Sequence, residues 1–92
     1  MVTGHLDIRS LRSFVAVVET GSVTEAARRM GRTQPAITLQ IRRLEEQTGK
    51  QFFEPMARRP VPTRDGEVLL GYARAILRLH DELWRRMHAK HV

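Results

Sequence analysis

Two helical stripes separated by a three-residue spacer, Gly31-Arg32-Thr33, constrain this chain more than any other feature, because helices that close together are joined by a tight turn. The first begins with Ser22 and Glu25, the S-x-x-E pattern in which each side chain satisfies a backbone N–H that a first helical turn leaves unpaired. A helix therefore starts near Val23. Its apolar residues Val23, Ala26, Ala27 and Met30 fall at i, i+3, i+4 and i+7, the spacing of one buried face. Gly31 supplies a left-handed stop, and Arg32 leads into Thr33, a second N-cap. Pro35 sits in the first turn of the next helix, where its missing N–H costs nothing. Ile37, Ile41 and Leu44 form that helix's buried stripe before Gly49 ends it, so Gln34, Pro35, Thr38, Leu39 and Arg42 face outward.

A capped helix, a tight turn and a proline-started basic helix make up a helix-turn-helix, placed at about 23–42. In such motifs the second helix enters the DNA major groove with residues near its start against base edges. Charge placement agrees. The net charge is +6, and all of it arises between Arg28 and Arg64. That window holds nine basic residues (Arg28, Arg29, Arg32, Arg42, Arg43, Lys50, Arg58, Arg59, Arg64) against Glu45, Glu46 and Glu54, while the rest of the chain is balanced. Concentrated positive charge is what phosphate neutralisation and counterion release require. A charge run alone more often marks a solvated face, but this one coincides with a capped two-helix motif.

The flanking segments supply what such a motif needs. Ile8, Leu11, Val15 and Val18, with Phe14 beside them, predict a supporting helix from Asp7 to Glu19 that completes a three-helix core. After Gly49, Phe52 and Phe53 open a segment interrupted by Pro55, Pro60 and Pro62, too proline-rich for a helix and compatible with a short β-hairpin wing over about 52–62. Arg58 and Arg59 would sit at its tip, within reach of phosphates or the neighbouring minor groove. From Thr63, another N-cap, a long helix runs to about Met87, roughly 37 Å at 1.5 Å per residue. Its apolar residues occupy more than one face. Val68, Leu69 and Ala73 are expected to pack on the domain, while Tyr72, Ile76, Leu79, Leu83 and Met87 approximate an a/d seam that a homodimer would bury. A two-fold dimer would present two recognition helices about one DNA turn apart, matching an inverted repeat.

Other functions are poorly supported. A 92-residue chain is one small domain with limited surplus stability, and without cysteine it has neither disulfides nor thiol chemistry. No apolar run approaches the roughly 20 residues of a membrane span, and the start MVTGHLDIRS lacks a signal peptide's apolar stretch, so the expectation is a cytoplasmic protein with no membrane partner. His5, His80, His88 and His91 form no H-E-x-x-H pattern, and the pair His88 and His91 is a weak metal candidate near a terminus. Ser22 and Thr33 are accounted for as caps, and no glycine-rich phosphate loop occurs, so neither catalysis nor a cofactor is expected. Tyr72 and Trp84 read as packing or dimer residues rather than base-stacking platforms, and the aromatic sheet signature of RNA-binding modules is missing.

Three stretches, LRSFVAVVETGSVTEAARRM, TQPAITLQIRRLEEQTGKQFFE and PTRDGEVLLGYARAIL, together resemble the N-terminal winged helix-turn-helix and linker helix of LysR-type transcriptional regulators over nearly the whole chain. The resemblance implies a mainly α fold, with a winged DNA-binding domain at 7–62 and a linker or dimerisation helix at 63–88. In that family the QPA start of the recognition helix and the residues after it contact bases, which carries over to Gln34, Pro35 and Thr38; the wing arginine carries over to Arg58 or Arg59. Leu39 and Arg42 are further candidates for base contact, and Thr24, Thr33, Arg43, Arg58, Arg59 and Arg64 for phosphate or sugar. Three departures stand out. Leu39 occupies a position where the family often has arginine, so a polar DNA contact becomes apolar. Pro55 replaces a usual arginine and Pro62 a usual leucine, which alters the wing. The family normally continues into a large effector-binding domain, and this sequence holds none, so a small-molecule effector, like a tetrameric state, is expected only with a longer protein. The alternative reading is a helical interaction module whose long helix pairs with a partner and whose basic face is incidental.

Overall fold

The computed structural model describes residues 5–89. His91, the second histidine of the weak metal candidate, lies outside them. Four helices follow in order: α1 (Ile8–Thr20), α2 (Val23–Met30), α3 (Gln34–Thr48) and α4 (Arg64–His88). The expected caps Ser22, Thr33 and Thr63 are in place, and Asp7, expected as the first residue of its helix, stands one position outside it as a fourth cap. Asp7 caps α1, Ser22 caps α2, Thr33 caps α3 and Thr63 caps α4, each side chain accepting a backbone N–H from the first turn. The box at α2 is only half closed. Ser22 accepts from Glu25 N at 3.1 Å, but the Glu25 carboxylate turns to Arg28, 3.1 Å away, and Ser22 N donates instead to Thr20 Oγ1.

All three other helices pack on α1, which explains a burial pattern wider than a single stripe. Ser10, Leu11, Ser13, Phe14, Val15, Ala16 and Val17 are all buried, whereas Ile8 and Val18, expected in the stripe, are half-buried at its ends. One side of α1 joins Leu44, Phe52, Leu69, Leu70, Ala73 and Leu77 in a core shared by α3, α4 and the wing. The other side, through Ala16 and Val17, meets Ala26, Ala27 and Ile37, where two alanines let α2 approach closely. Phe14 is fully buried and lies edge-on to Phe52, with ring centres 5.8 Å apart, and 5.3 Å from Phe53.

The wing is reduced to one antiparallel bridge between Phe53 and Pro62, with Glu54 N donating to Val61 O at 2.8 Å. Three prolines in the segment explain its brevity, since each lacks the N–H that a ladder requires. Its base is better fastened than its tip. Phe52 N donates to the Glu45 carboxylate of α3 at 2.9 Å, and Thr63 N donates to Phe52 O at 3.0 Å. The Thr63 hydroxyl donates to Gln51 O at 2.6 Å and accepts from Gly66 N at 3.0 Å.

On α4 the division of apolar residues differs from the expectation. Leu69, Leu70, Ala73 and Leu77 pack in the core with α1, Gly66 is buried against the wing, and Val68 is 55% exposed. The helix turns its 66/69/70/73/77 stripe inward, which puts Val68 in line with Tyr72, Ile76, Leu79, Leu83 and Met87, all exposed. No residue of α4 beyond Leu77 is buried. An ion pair between Arg12 and Asp81, with a second contact at 3.4 Å, ties that projecting half back to α1.

Gly66 is required because its α-carbon faces the wing: a Cβ there would stand 2.1 Å from Phe52 O, a backbone atom that cannot swing aside. Gly66→Ala is expected to lower unfolding free energy by about 1–3 kcal/mol despite alanine's better helix propensity. Gly71→Ala, on the same helix with nothing within 4 Å, is expected to raise it by up to about 1 kcal/mol. Chemical denaturation of both variants checks the contrast.

The Arg12 guanidinium, then His80, hydrogen-bond the Asp81 carboxylate and hold its pKa below the ordinary 3.8. A depressed carboxylate contributes stability above that value and loses it as pH falls through the folded pKa. The difference in Tm between the native chain and Asp81→Asn should therefore shrink as pH falls below 3.8.

Candidate nucleic-acid interface

The turn between α2 and α3 sets the recognition helix. Gly31 adopts φ 65°, and Arg32 N donates to Ala27 O at 2.9 Å, so the chain reverses within three residues. Thr33 Oγ1 then accepts from Ala36 N at 3.3 Å, and Pro35 lies in the first turn. The inward face of α3 is anchored by Ile37, Leu44 and Gln40, the last accepting a buried hydrogen bond from the Ser13 hydroxyl. Ile41, expected to be buried, is half-buried between the two core clusters. Gln40 was not singled out from the sequence. Its position three residues after Ile37 and four before Leu44 was the available signal, and a buried polar partner on α1 is what completes it.

Opposite that anchor, the outward face carries the predicted residues. Gln34, Pro35, Leu39, Arg42 and Arg43 are exposed and Thr38 is half-exposed. A groove of about 730 Å³ lies between α3 and the wing, and brings together Gln34, Thr38 and Arg42 from α3, Thr24 from α2, and Arg58 and Arg59 from the wing. Pro35, Leu39, Thr33, Arg43 and Arg64 lie outside this groove. Thr33 and Arg64 are at helix starts, and Leu39 and Arg43 continue the outward face of α3. The groove also contains Glu45 and Glu54, which local spacing in the sequence marks only as charges. Glu45 is engaged by Phe52 N, a contact set by the path of the wing and invisible in local spacing.

Ion pairing separates structural from available arginines. Arg28 pairs with Glu25, and Arg29 with Glu19 at 2.7 Å; Glu19 also reaches Arg74 at 3.5 Å. Arg42, Arg43, Arg58, Arg59 and Arg64 make no ion pair among the described residues. Within the basic window from Arg28 to Arg64, the positive charge left for an outside anion among the described residues thus sits on Arg32 and Lys50, which flank α3, and on α3 itself, the wing and the start of α4.

The five proposed seam residues on α4 form one exposed line, with Tyr72 68% and Leu79 59% exposed. Trp84 lies off this line, stacks with His80, ring centres 6.2 Å apart, and lies tilted against His88 at 4.5 Å. Among the described residues no group of three His, Cys, Asp or Glu could hold a metal ion, and no helix is long and apolar enough to cross a membrane.

Comparison with known proteins gives a consistent family. Residues 8–67 match the family described as bacterial regulatory helix-turn-helix protein, lysR family. The HTH-type transcriptional regulator DgdR of Burkholderia cepacia is 46% identical over 77 residues, covering 84% of this chain and 26% of that protein. The HTH-type transcriptional regulator TfdT of Cupriavidus pinatubonensis is 43% identical over 84 residues, covering 91% of this chain and 37% of that protein. The chain therefore spans well under half the length of these curated relatives. A crystal structure of a CbnR DBD–DNA complex superposes with TM-score 0.82 at 36% identity, covering 90% of this chain and 95% of that one. A BenM DBD complex with catB site 1 DNA gives 0.82 at 36% identity, covering 94% and 99%. The winged helix-turn-helix expectation is thus met, with its hairpin cut to a single bridge, and the chain belongs to the LysR family of bacterial regulatory helix-turn-helix proteins.

Proposed function

We propose that this chain binds double-stranded DNA sequence-specifically as the DNA-binding domain of a LysR-type transcriptional regulator, inserting α3 into the major groove of an inverted-repeat site. The observation that carries this reading is the convergence of Gln34, Thr38, Arg42, Thr24, Arg58 and Arg59 on one groove whose arginines make no ion pair among the described residues. The DNA complexes of its structural neighbours, which superpose over nine-tenths of the chain, support it. Residues 7–62 act as the reading unit and 63–88 as the dimerisation unit. Gln34, Pro35, Thr38, Leu39 and Arg42 contact bases, and Thr24, Thr33, Arg43, Arg58, Arg59 and Arg64 contact phosphate or sugar and set the register. The exposed line Tyr72, Ile76, Leu79, Leu83 and Met87, joined by Val68, buries itself against a second copy. The function is regulatory rather than enzymatic, exercised in the cytoplasm, and any small-molecule effector acts through parts of a longer protein.

Fluorescence anisotropy against an AT-rich interrupted palindrome and a scrambled duplex, over several salt concentrations, tests the proposal. Tighter, salt-dependent binding to the palindrome supports it, and no binding even at low salt would favour the interaction module instead. Gln34→Ala should relax sequence preference by about 1–3 kcal/mol, whereas Arg59→Ala should weaken all sequences alike and reduce the salt slope by about 1. Equal losses on specific and random DNA for Gln34→Ala would reject its readout role. Leu79→Glu should shift the chain to monomer in sedimentation and remove the advantage of the palindrome over a single half-site.

A further inference from the structure

We propose that Leu39 is a specificity residue that recognises the 5-methyl group of one thymine in each half-site; the inference rests on the DNA-binding reading above. Leu39 is 48% exposed and belongs to neither core cluster. At 3.6 residues per turn it falls on the face opposite Ile37 and Leu44, with Pro35 one turn before it and Arg42 and Arg43 one turn after. Among the described residues of α3, no other large apolar side chain is exposed. Leu39 does not line the groove between α3 and the wing, so the wing does not cover it. Its backbone is fixed by the buried side chains on either side, Ile37, Gln40 and Leu44, and by the Ser13 to Gln40 hydrogen bond.

Base edges in the major groove present hydrogen-bond donors and acceptors, with one apolar exception, the thymine methyl. An aliphatic side chain with no polar atom therefore has one base feature to select. Contact with thymine removes apolar surface of both partners from water, whereas cytosine at the same position offers no methyl and brings an N4 amine that leucine cannot satisfy. Arg43 on the next turn supplies charge for the phosphates, which leaves Leu39 free of an electrostatic role.

The test starts with selection of binding sites from a random duplex library by the chain itself, followed by replacement of each thymine of the enriched half-site with deoxyuridine, which deletes the methyl and keeps the pairing. One thymine position should respond, with affinity falling about fourfold per half-site, the value of one buried methyl-sized group. In Leu39→Ala that penalty should disappear while the salt slope is retained, and in Leu39→Met it should persist; Leu39→Gln serves if the alanine variant does not fold. An unchanged uracil penalty in Leu39→Ala, or no uracil-sensitive position at all, overturns the assignment and leaves DNA binding standing. Failure to enrich any site would sink the DNA-binding reading itself, and this assignment with it.

Discussion

The position of every outward-facing group depends on α1 being buried almost all round. Phe14 sits at its centre, against Phe52 and Phe53 at the base of the wing, while Ala16 and Val17 on the other side receive α2 and α3. One helix therefore fixes the recognition helix, the wing and the long helix in a common frame. A helix packed on one side alone would need one apolar stripe; α1 supports three partners and uses the small residues Ser10, Ser13 and Ala16 to let them in. The Ser13 hydroxyl does more than leave room, because its hydrogen bond to Gln40 makes the seating of α3 directional, which apolar contact alone does not.

Local chemistry was legible in the sequence because its causes are local. Ser22, Thr33 and Thr63 each cap the helix expected of them, since an N-cap needs only the next three residues to form. The stops at Gly31 and Gly49 follow for the same reason. What could not be read was decided by tertiary geometry. Val68, Leu69, Leu70 and Leu77 are similar in hydropathy, and only the crossing of α4 over α1 turns Leu70 and Leu77 inward and Val68 outward. Glu25 had two uses available, the cap and Arg28, and took the second once Thr20 had supplied the Ser22 N–H with a partner. Candidate contact residues were accessible to spacing arguments, whereas Glu45's tie to the wing depends on a chain path that no local pattern encodes.

Electrostatics shows a similar layering. The sequence places its excess charge between Arg28 and Arg64, but part of that charge is internal bracing: Arg28 and Arg29 are spent on Glu25 and Glu19. Surface pairs of this kind are individually weak, and their larger effect is to remove two arginines from competition with the groove. Arg42, Arg43, Arg58, Arg59 and Arg64, unpaired among the described residues, sit on elements that α1 and the wing base hold in place, so this part of the positive field has a shape as well as a sign.

Thr63 joins three backbone segments at one point: it holds Gln51 and Phe52 of the wing, caps α4 through Gly66, and stands beside the strand that Glu45 ties to α3. The wing and the long helix therefore share a hydrogen-bonded joint. In an assembly paired through α4, the span between the two reading heads would be a fixed caliper width. A site whose natural spacing differs from that width would have to be accommodated by curvature of the duplex, and the stiffness of its central base pairs, which the protein need not touch, would become part of what is recognised.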